Sequence, residues 1–92
     1  MNNINPKIEI DYDLFEARVD GKIVHLPRLE FEILSILFKN RGKVCTRSFI
    51  ERQISTTGDG GRIIDVYVGY LRNKLGKDYI KTRRQFGYFI EA

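Results

Sequence analysis

The chain has 92 residues and a net charge of +4, with 42% hydrophobic and 30% charged residues, which fits one soluble globular domain with a modest core and not a disordered segment. No apolar run nears the ~20 residues needed to cross a bilayer, and Met1-Asn-Asn-Ile does not open a signal peptide, so no membrane association is expected. A single cysteine, Cys45, excludes an internal disulfide, and a reducing, cytoplasmic setting is the natural expectation.

The charge is unevenly placed. Residues 1–61 hold nine Lys/Arg and nine Asp/Glu, whereas residues 62–92 hold seven Lys/Arg against three Asp/Glu and so carry the entire excess. A neutral scaffold with a basic final third suggests an anionic partner for that third, although a solvated basic surface would look the same on charge alone.

Residues 1–6 read as a linker or disordered lead into the domain. From Lys7 to Leu26 the pattern is that of short strands. Ile8 and Ile10 alternate with charged neighbours, Asp11-Tyr-Asp13 looks like a turn, and Phe15, Ala17 and Val19 resume the alternation. Asp20-Gly21 is a strong two-residue hairpin signal, because a type I′ turn needs positive φ at both centres, and Lys22–Leu26 returns from it. A small antiparallel sheet of three or four strands is expected, with one face on the helices.

Pro27 to Arg41 is the first predicted helix. Proline suits its opening turn, Glu30 and Glu32 suit the positive end of its dipole, and Leu29, Phe31, Ile33, Leu34, Ile36, Leu37 and Phe38 make it a core helix. Thr46 is a good N-cap for a short second helix, Arg47 to Ile54, with Phe49, Ile50 and Ile54 inward and Val44 placed to staple the start. Ser55–Gly61 is a loop. It leads into Arg62–Leu75, where Ile64, Val68, Leu71 and Leu75 form one apolar stripe and Arg62, Val66, Gly69, Asn73 and, to the side, Tyr70 lie roughly opposite. Helix, loop, helix is the helix-turn-helix order, though this loop exceeds the three or four residues of the minimal motif. Beyond Gly76, Tyr79–Arg83 and Tyr88–Ala92 read as a hairpin turning through Arg84–Gly87. Arg83 and Arg84 then sit at or beside its tip, where they can meet phosphates or a narrow minor groove.

These residues, in this order, resemble the winged-helix output domain of OmpR/PhoB-type response regulators. The resemblance is carried by Leu26…Glu30-Phe31…Leu34, by Gly42-Lys-Val-Cys-Thr46-Arg47, by Arg62-Ile-Ile-Asp65-Val66…Leu71-Arg72-Asn-Lys74-Leu75, and by Ile80-Lys-Thr82…Arg84…Gly87-Tyr88. It covers nearly the whole chain. It implies an α+β winged helix-turn-helix with an N-terminal antiparallel sheet, three helices and a C-terminal β-hairpin wing. It further implies a transcription regulator that binds double-stranded DNA, usually as a dimer on two direct-repeat half-sites.

Carried over by position, Arg62, Val66, Tyr70 and Asn73 would face the major groove, with Tyr67 and Arg72 flanking towards the backbone. Arg47 would hold a phosphate, and Thr82 and Arg84 would be the wing contacts. The Ser55–Gly61 loop would be the segment that touches RNA polymerase. Elementary chemistry agrees with most of this: arginines and hydroxyls supply phosphate contacts, Val66 can meet a thymine methyl, Asn73 can pair with a base edge, and helix amides near Arg62 add an anion site. The sequence departs from the family pattern at Gly69 and Tyr70, where many relatives carry basic residues, and at Ser55, Pro27, Arg83 and Gln85. No βα repeat of a receiver domain is present in the chain.

Catalytic chemistry finds little support. His25 is the only histidine, Cys45 reads as a core residue, and Asp11 and Asp13 are explained by a turn. Gly58-Asp-Gly-Gly61 lacks the lysine of a phosphate-binding loop, so neither an enzyme nor a cofactor is expected. Two other readings remain open: a protein-interaction module on the same scaffold, and non-specific nucleic-acid binding through the basic wing.

Overall fold

The computed structural model describes residues 7–54 and 62–92. The element order is β1 (Ile8–Asp11), β2 (Glu16–Val19), β3 (Lys22–Val24), α1 (Arg28–Lys39), α2 (Arg47–Glu51), α3 (Arg62–Leu75), β4 (Lys81–Arg83) and β5 (Gly87–Phe89).

The first three strands form an antiparallel sheet in the order β1-β2-β3. Its register pairs Ile8 with Val19, Ile10 with Ala17, and Ala17 with Val24. Because side chains alternate across a strand, these five apolar residues share one face and meet the core. Glu9, Arg18 and Ile23 take the other face. Asp20 (φ 52°) and Gly21 (φ 84°) are both left-handed, as the two-residue hairpin requires.

The β1–β2 connection differs from the expected alternation. The Asp11 carboxylate accepts from the backbone N–H groups of Asp13 (2.9 Å) and Leu14 (3.0 Å). This Asx-type turn carries Phe15 to φ 55°, so β2 starts only at Glu16 and the Phe15 ring lies on the surface, edge-on to Phe31 at 5.7 Å.

α1 is the core helix. Ile33, Leu34 and Leu37 are fully buried, each worth roughly 1.5–3 kcal/mol of transfer free energy. Pro27 stands at its N-cap without a side-chain bond, while Asn40 closes the other end, its side-chain amide donating to the Ile36 carbonyl at 2.7 Å. α2 is capped by Thr46, whose hydroxyl accepts from Phe49 N–H at 3.0 Å. It ends at Glu51, three residues short of the expectation, and Ile54 is buried from the turn that follows. Cys45 is buried, as a core residue should be, whereas Val44 is 39% exposed.

The C-terminal hairpin pairs Lys81 with Phe89, Thr82 with Tyr88 and Arg83 with Gly87. A bridge extends it: Cys45 N–H donates to Tyr88 C=O (2.8 Å) and Tyr88 N–H donates to Cys45 C=O (3.0 Å). The segment ahead of α2 therefore acts as a third strand of the wing. Gly87 allows it, since a Cβ there would lie 2.1 Å from the Cys45 carbonyl oxygen.

Candidate nucleic-acid interface

α3 has two faces, as its periodicity requires. Ile64, Val68, Leu71 and Leu75 are buried against the core, and Arg62, Val66, Gly69, Tyr70 and Asn73 are exposed. Tyr67 is half-buried and packs edge-to-face with Tyr70 at 5.3 Å between ring centres. Ser55–Gly61, including the expected polymerase-touching loop and the lead into α3, lies outside the described residues, as do residues 1–6.

Two of the three cations on α3 are used inside the domain. Arg72 was expected to flank the DNA backbone. Instead its Nε and Nη2 donate to the Ile80 carbonyl at 3.0 and 2.7 Å, and Nη2 also donates to the Thr82 hydroxyl at 2.8 Å. Half-buried and so engaged, it is a strut between α3 and the wing; the carbonyl it satisfies belongs to the residue just ahead of β4. Lys74 reaches back to α1, where its Nζ lies 2.7 Å from the buried carboxylate of Glu30. Glu30 was expected to serve the dipole of its own helix, and it also ties two helices together. Arg62 remains, exposed and with no hydrogen bond or ion pair among the described residues.

A second knot sits at the other end of the helix, around Asp65, a residue of the matching motif to which the sequence assigned no role. Its Oδ1 accepts from Arg47 Nε at 2.8 Å and from the Tyr88 hydroxyl. Burial pushes the Asp65 carboxyl up, but the bonds from Tyr88 and Arg47 and the Arg47 charge outweigh it and hold the group below its ordinary value. Tyr88 is pushed up, first by burial and then by the bond to Asp65. The Arg47 and Arg72 guanidinium carbons lie 5.4 and 5.5 Å from the Tyr88 ring centre. Helix α2, helix α3 and the wing thus converge on one tyrosine. Arg47 keeps a partly exposed side chain, though its Nε is committed to Asp65.

On the wing, Thr82, Arg83 and Arg84 are all exposed. Thr82 is oriented by Arg72, and Arg83 lies over the Phe89 ring at 5.4 Å. Arg84 has no hydrogen bond or ion pair among the described residues. Phe86 N–H closes the tip on the Arg83 carbonyl at 2.9 Å, with Gln85 at φ 71°. The geometry therefore brings Arg47, Arg62, Val66, Tyr67, Tyr70, Asn73 and the wing residues onto α3 and the structures fastened to it, with Arg72 bonded between the helix and the wing. Among the described residues no cluster of three or more His, Cys, Asp or Glu could hold a metal ion, and no helix is long and apolar enough to cross a membrane.

Three helices, an N-terminal antiparallel sheet and a C-terminal hairpin strapped to the third helix define a winged-helix domain of the OmpR/PhoB type. Residues 21–90 match the family described as "Transcriptional regulatory protein, C terminal", and the chain belongs to that family. It is 39% identical over 89 residues to the response regulator ArlR of Staphylococcus saprophyticus, a match covering 90% of this chain and 40% of ArlR. Among solved structures it is similar to the response regulator DrrB, an OmpR/PhoB homologue of Thermotoga maritima, with a TM-score of 0.83, 33% identity and coverage of 92% of this chain and 42% of DrrB. It is also similar to the DNA-binding domain of the response regulator AdeR in complex with an intercistronic region, with a TM-score of 0.85, 25% identity and coverage of 99% and 98%. The chain spans about 40% of the length of the curated relatives it matches.

Proposed function

We propose that this domain binds double-stranded DNA sequence-specifically for transcription regulation, with α3 in the major groove and the wing at the neighbouring minor groove. It is a binding domain and not an enzyme, in keeping with its family. The observation that carries this reading is the fastening of the wing to α3 at both ends of the helix, by Asp65–Tyr88 and by Arg72 to Ile80 and Thr82. A helix and a hairpin that must meet two grooves at once gain affinity when their relative placement is set in advance.

Within this unit Arg62, Val66, Tyr70 and Asn73 read or line the major groove, with Tyr67 buttressing Tyr70. Arg47 and Thr82 meet phosphates, and Arg83 and Arg84 serve the wing contact. Binding as a dimer on direct repeats, a contact of the Ser55–Gly61 loop with RNA polymerase, and a cytoplasmic setting complete the proposal.

In-vitro selection from a random duplex pool, followed by titration of the winner at several salt concentrations, tests it. An enriched motif bound ~10³-fold or more above random duplex is expected. The log–log salt slope should be near −0.9 per phosphate contacted. A flat salt response with no enriched motif would sink it. The exposed Val66 (48%) and Tyr70 (47%) favour one second reading, a protein partner for the same face. Recovery of a protein by pull-down together with failure of the duplex selection would select that reading.

A further inference from the structure

Guanine is read in the major groove chiefly by Arg or Lys, adenine by Asn or Gln, and thymine by apolar contact with its methyl group. Two of the three cations on α3 are spoken for: Arg72 by the Ile80 carbonyl and Thr82, Lys74 by buried Glu30. Neither can turn to a base without leaving a half-buried carbonyl or a buried carboxylate unpaired. The remaining cation, Arg62, is the first residue of the helix and so stands at one end of the face.

Between that end and Asn73 the exposed residues are Val66, Gly69 and Tyr70, together with Asp65, whose carboxylate is bound by Arg47 and Tyr88. Nothing stands within 4 Å of the place a Gly69 side chain would take. The edge-to-face contact with Tyr67 braces the Tyr70 ring beside that open strip. A middle whose one carboxylate is already held by Arg47 and Tyr88, and whose Val66 and Tyr70 are apolar in contact, ends in a carboxamide and matches thymine methyls followed by an adenine edge.

We infer that the central base pairs under α3 are A·T pairs, read by Val66 and Tyr70 through thymine methyls and by Asn73 through adenine, with G·C tolerated only at the Arg62 end. Tyr70 is then a specificity-determining residue. The inference rests on the DNA-binding reading above and deepens it.

The test uses the 92-residue chain and duplexes recovered by in-vitro selection. The expected motif has A·T pairs at the centre of each half-site. Replacing those thymidines by deoxyuridines removes only the methyls, and each should weaken binding about four-fold, the equivalent of one buried methyl-sized group. The effect should vanish in the Val66→Ala, Tyr70→Ala double variant, whose substituted side chains are exposed, while Arg84→Ala should retain it. Asn73→Ala should lose about ten-fold or more at one adenine position and little elsewhere. An enriched motif with a G·C centre, or one indifferent to deoxyuridine, overturns the inference and leaves specific DNA binding standing. No enriched motif at all overturns both.

Discussion

Arg72 of α3 donates twice to the carbonyl of Ile80, at 3.0 and 2.7 Å, and once to Thr82, so a cation on the helix that should read DNA is spent on placing the wing. Arg72→Ala leaves that carbonyl without its charged donor and should cost about 2 kcal/mol of stability by urea unfolding. Arg72→Lys should recover only part of this, because an ammonium cannot reproduce the guanidinium fork. DNA affinity should fall through loosening of the wing, with the salt slope unchanged. A slope smaller by about 1 with full stability would instead make Arg72 a phosphate contact.

Lys74 and Glu30 are separated by 44 residues and form the ion pair between α1 and α3, with the carboxylate buried and the lysine about one-third exposed. Removing the lysine alone abandons a buried carboxylate. Lys74→Met should therefore destabilise by roughly 2–4 kcal/mol, near the lower end for a buried pair because water still reaches the lysine side. Adding Glu30→Met should return most of that loss, since well-packed apolar replacements of buried pairs are often close to neutral. Thermal melts of the two single variants and the double variant give the coupling directly; additive losses would show that the pair does not hold the helices together.

These two contacts mark where the sequence stopped being legible. The alternation of Ile8, Ile10, Ala17 and Val19, the Asp20-Gly21 hairpin and the stripe Ile64, Val68, Leu71, Leu75 are local patterns, and the structure follows them. So are the Thr46 cap and the exposed positions of Val66, Tyr70 and Asn73. Phe15 was misplaced because the Asp11 side chain captures two amides and turns the chain before the strand alternation can resume. The fates of Arg72, Lys74 and Asp65 depend on partners 8 to 44 residues away, across elements whose packing no spacing rule supplies. A basic residue on an exposed-looking helix turn reads as a nucleic-acid contact until the carbonyl or carboxylate that occupies it is seen.

The Asp65 knot predicts an acid dependence. Its carboxyl is held below the ordinary carboxylate value of 3.8 by the bonds from Tyr88 and Arg47 and by the Arg47 charge, which outweigh the opposing effect of burial. A carboxyl with a depressed folded-state pKa contributes stability that is fully present above its unfolded value and is lost as pH falls through the folded one. Wild type should therefore exceed Asp65→Asn in stability at neutral pH, and the gap should close as pH drops below about 4. Tyr88→Phe, which removes one donor, should narrow the same gap. Guanidinium melts from pH 7 downward measure it; a gap that persists at the lowest pH would remove Asp65 from this role.

Two nearby positions of the wing make opposite demands on their side chains. Gly87 lies against the segment before α2, and a Cβ there would meet the Cys45 carbonyl oxygen at 2.1 Å and carbonyl carbon at 2.8 Å. Those atoms belong to the bridge that makes Cys45 a third wing strand, so they cannot yield without breaking the bonds to Tyr88. Gly87→Ala should cost about 3 kcal/mol or more and detach the wing, with loss of protection from hydrogen exchange at the Cys45 and Tyr88 amides. Gln85, two residues earlier, carries a side chain at φ 71°, where an L-residue costs roughly 1 kcal/mol. Gln85→Gly should relieve that strain against a partly compensating gain of unfolded-chain entropy, a net stabilisation of at most about 0.5 kcal/mol. The two variants together decide whether the wing's shape comes from its own turn or from its seat on Cys45: if the seat dominates, as the close approach requires, Gln85→Gly cannot rescue Gly87→Ala.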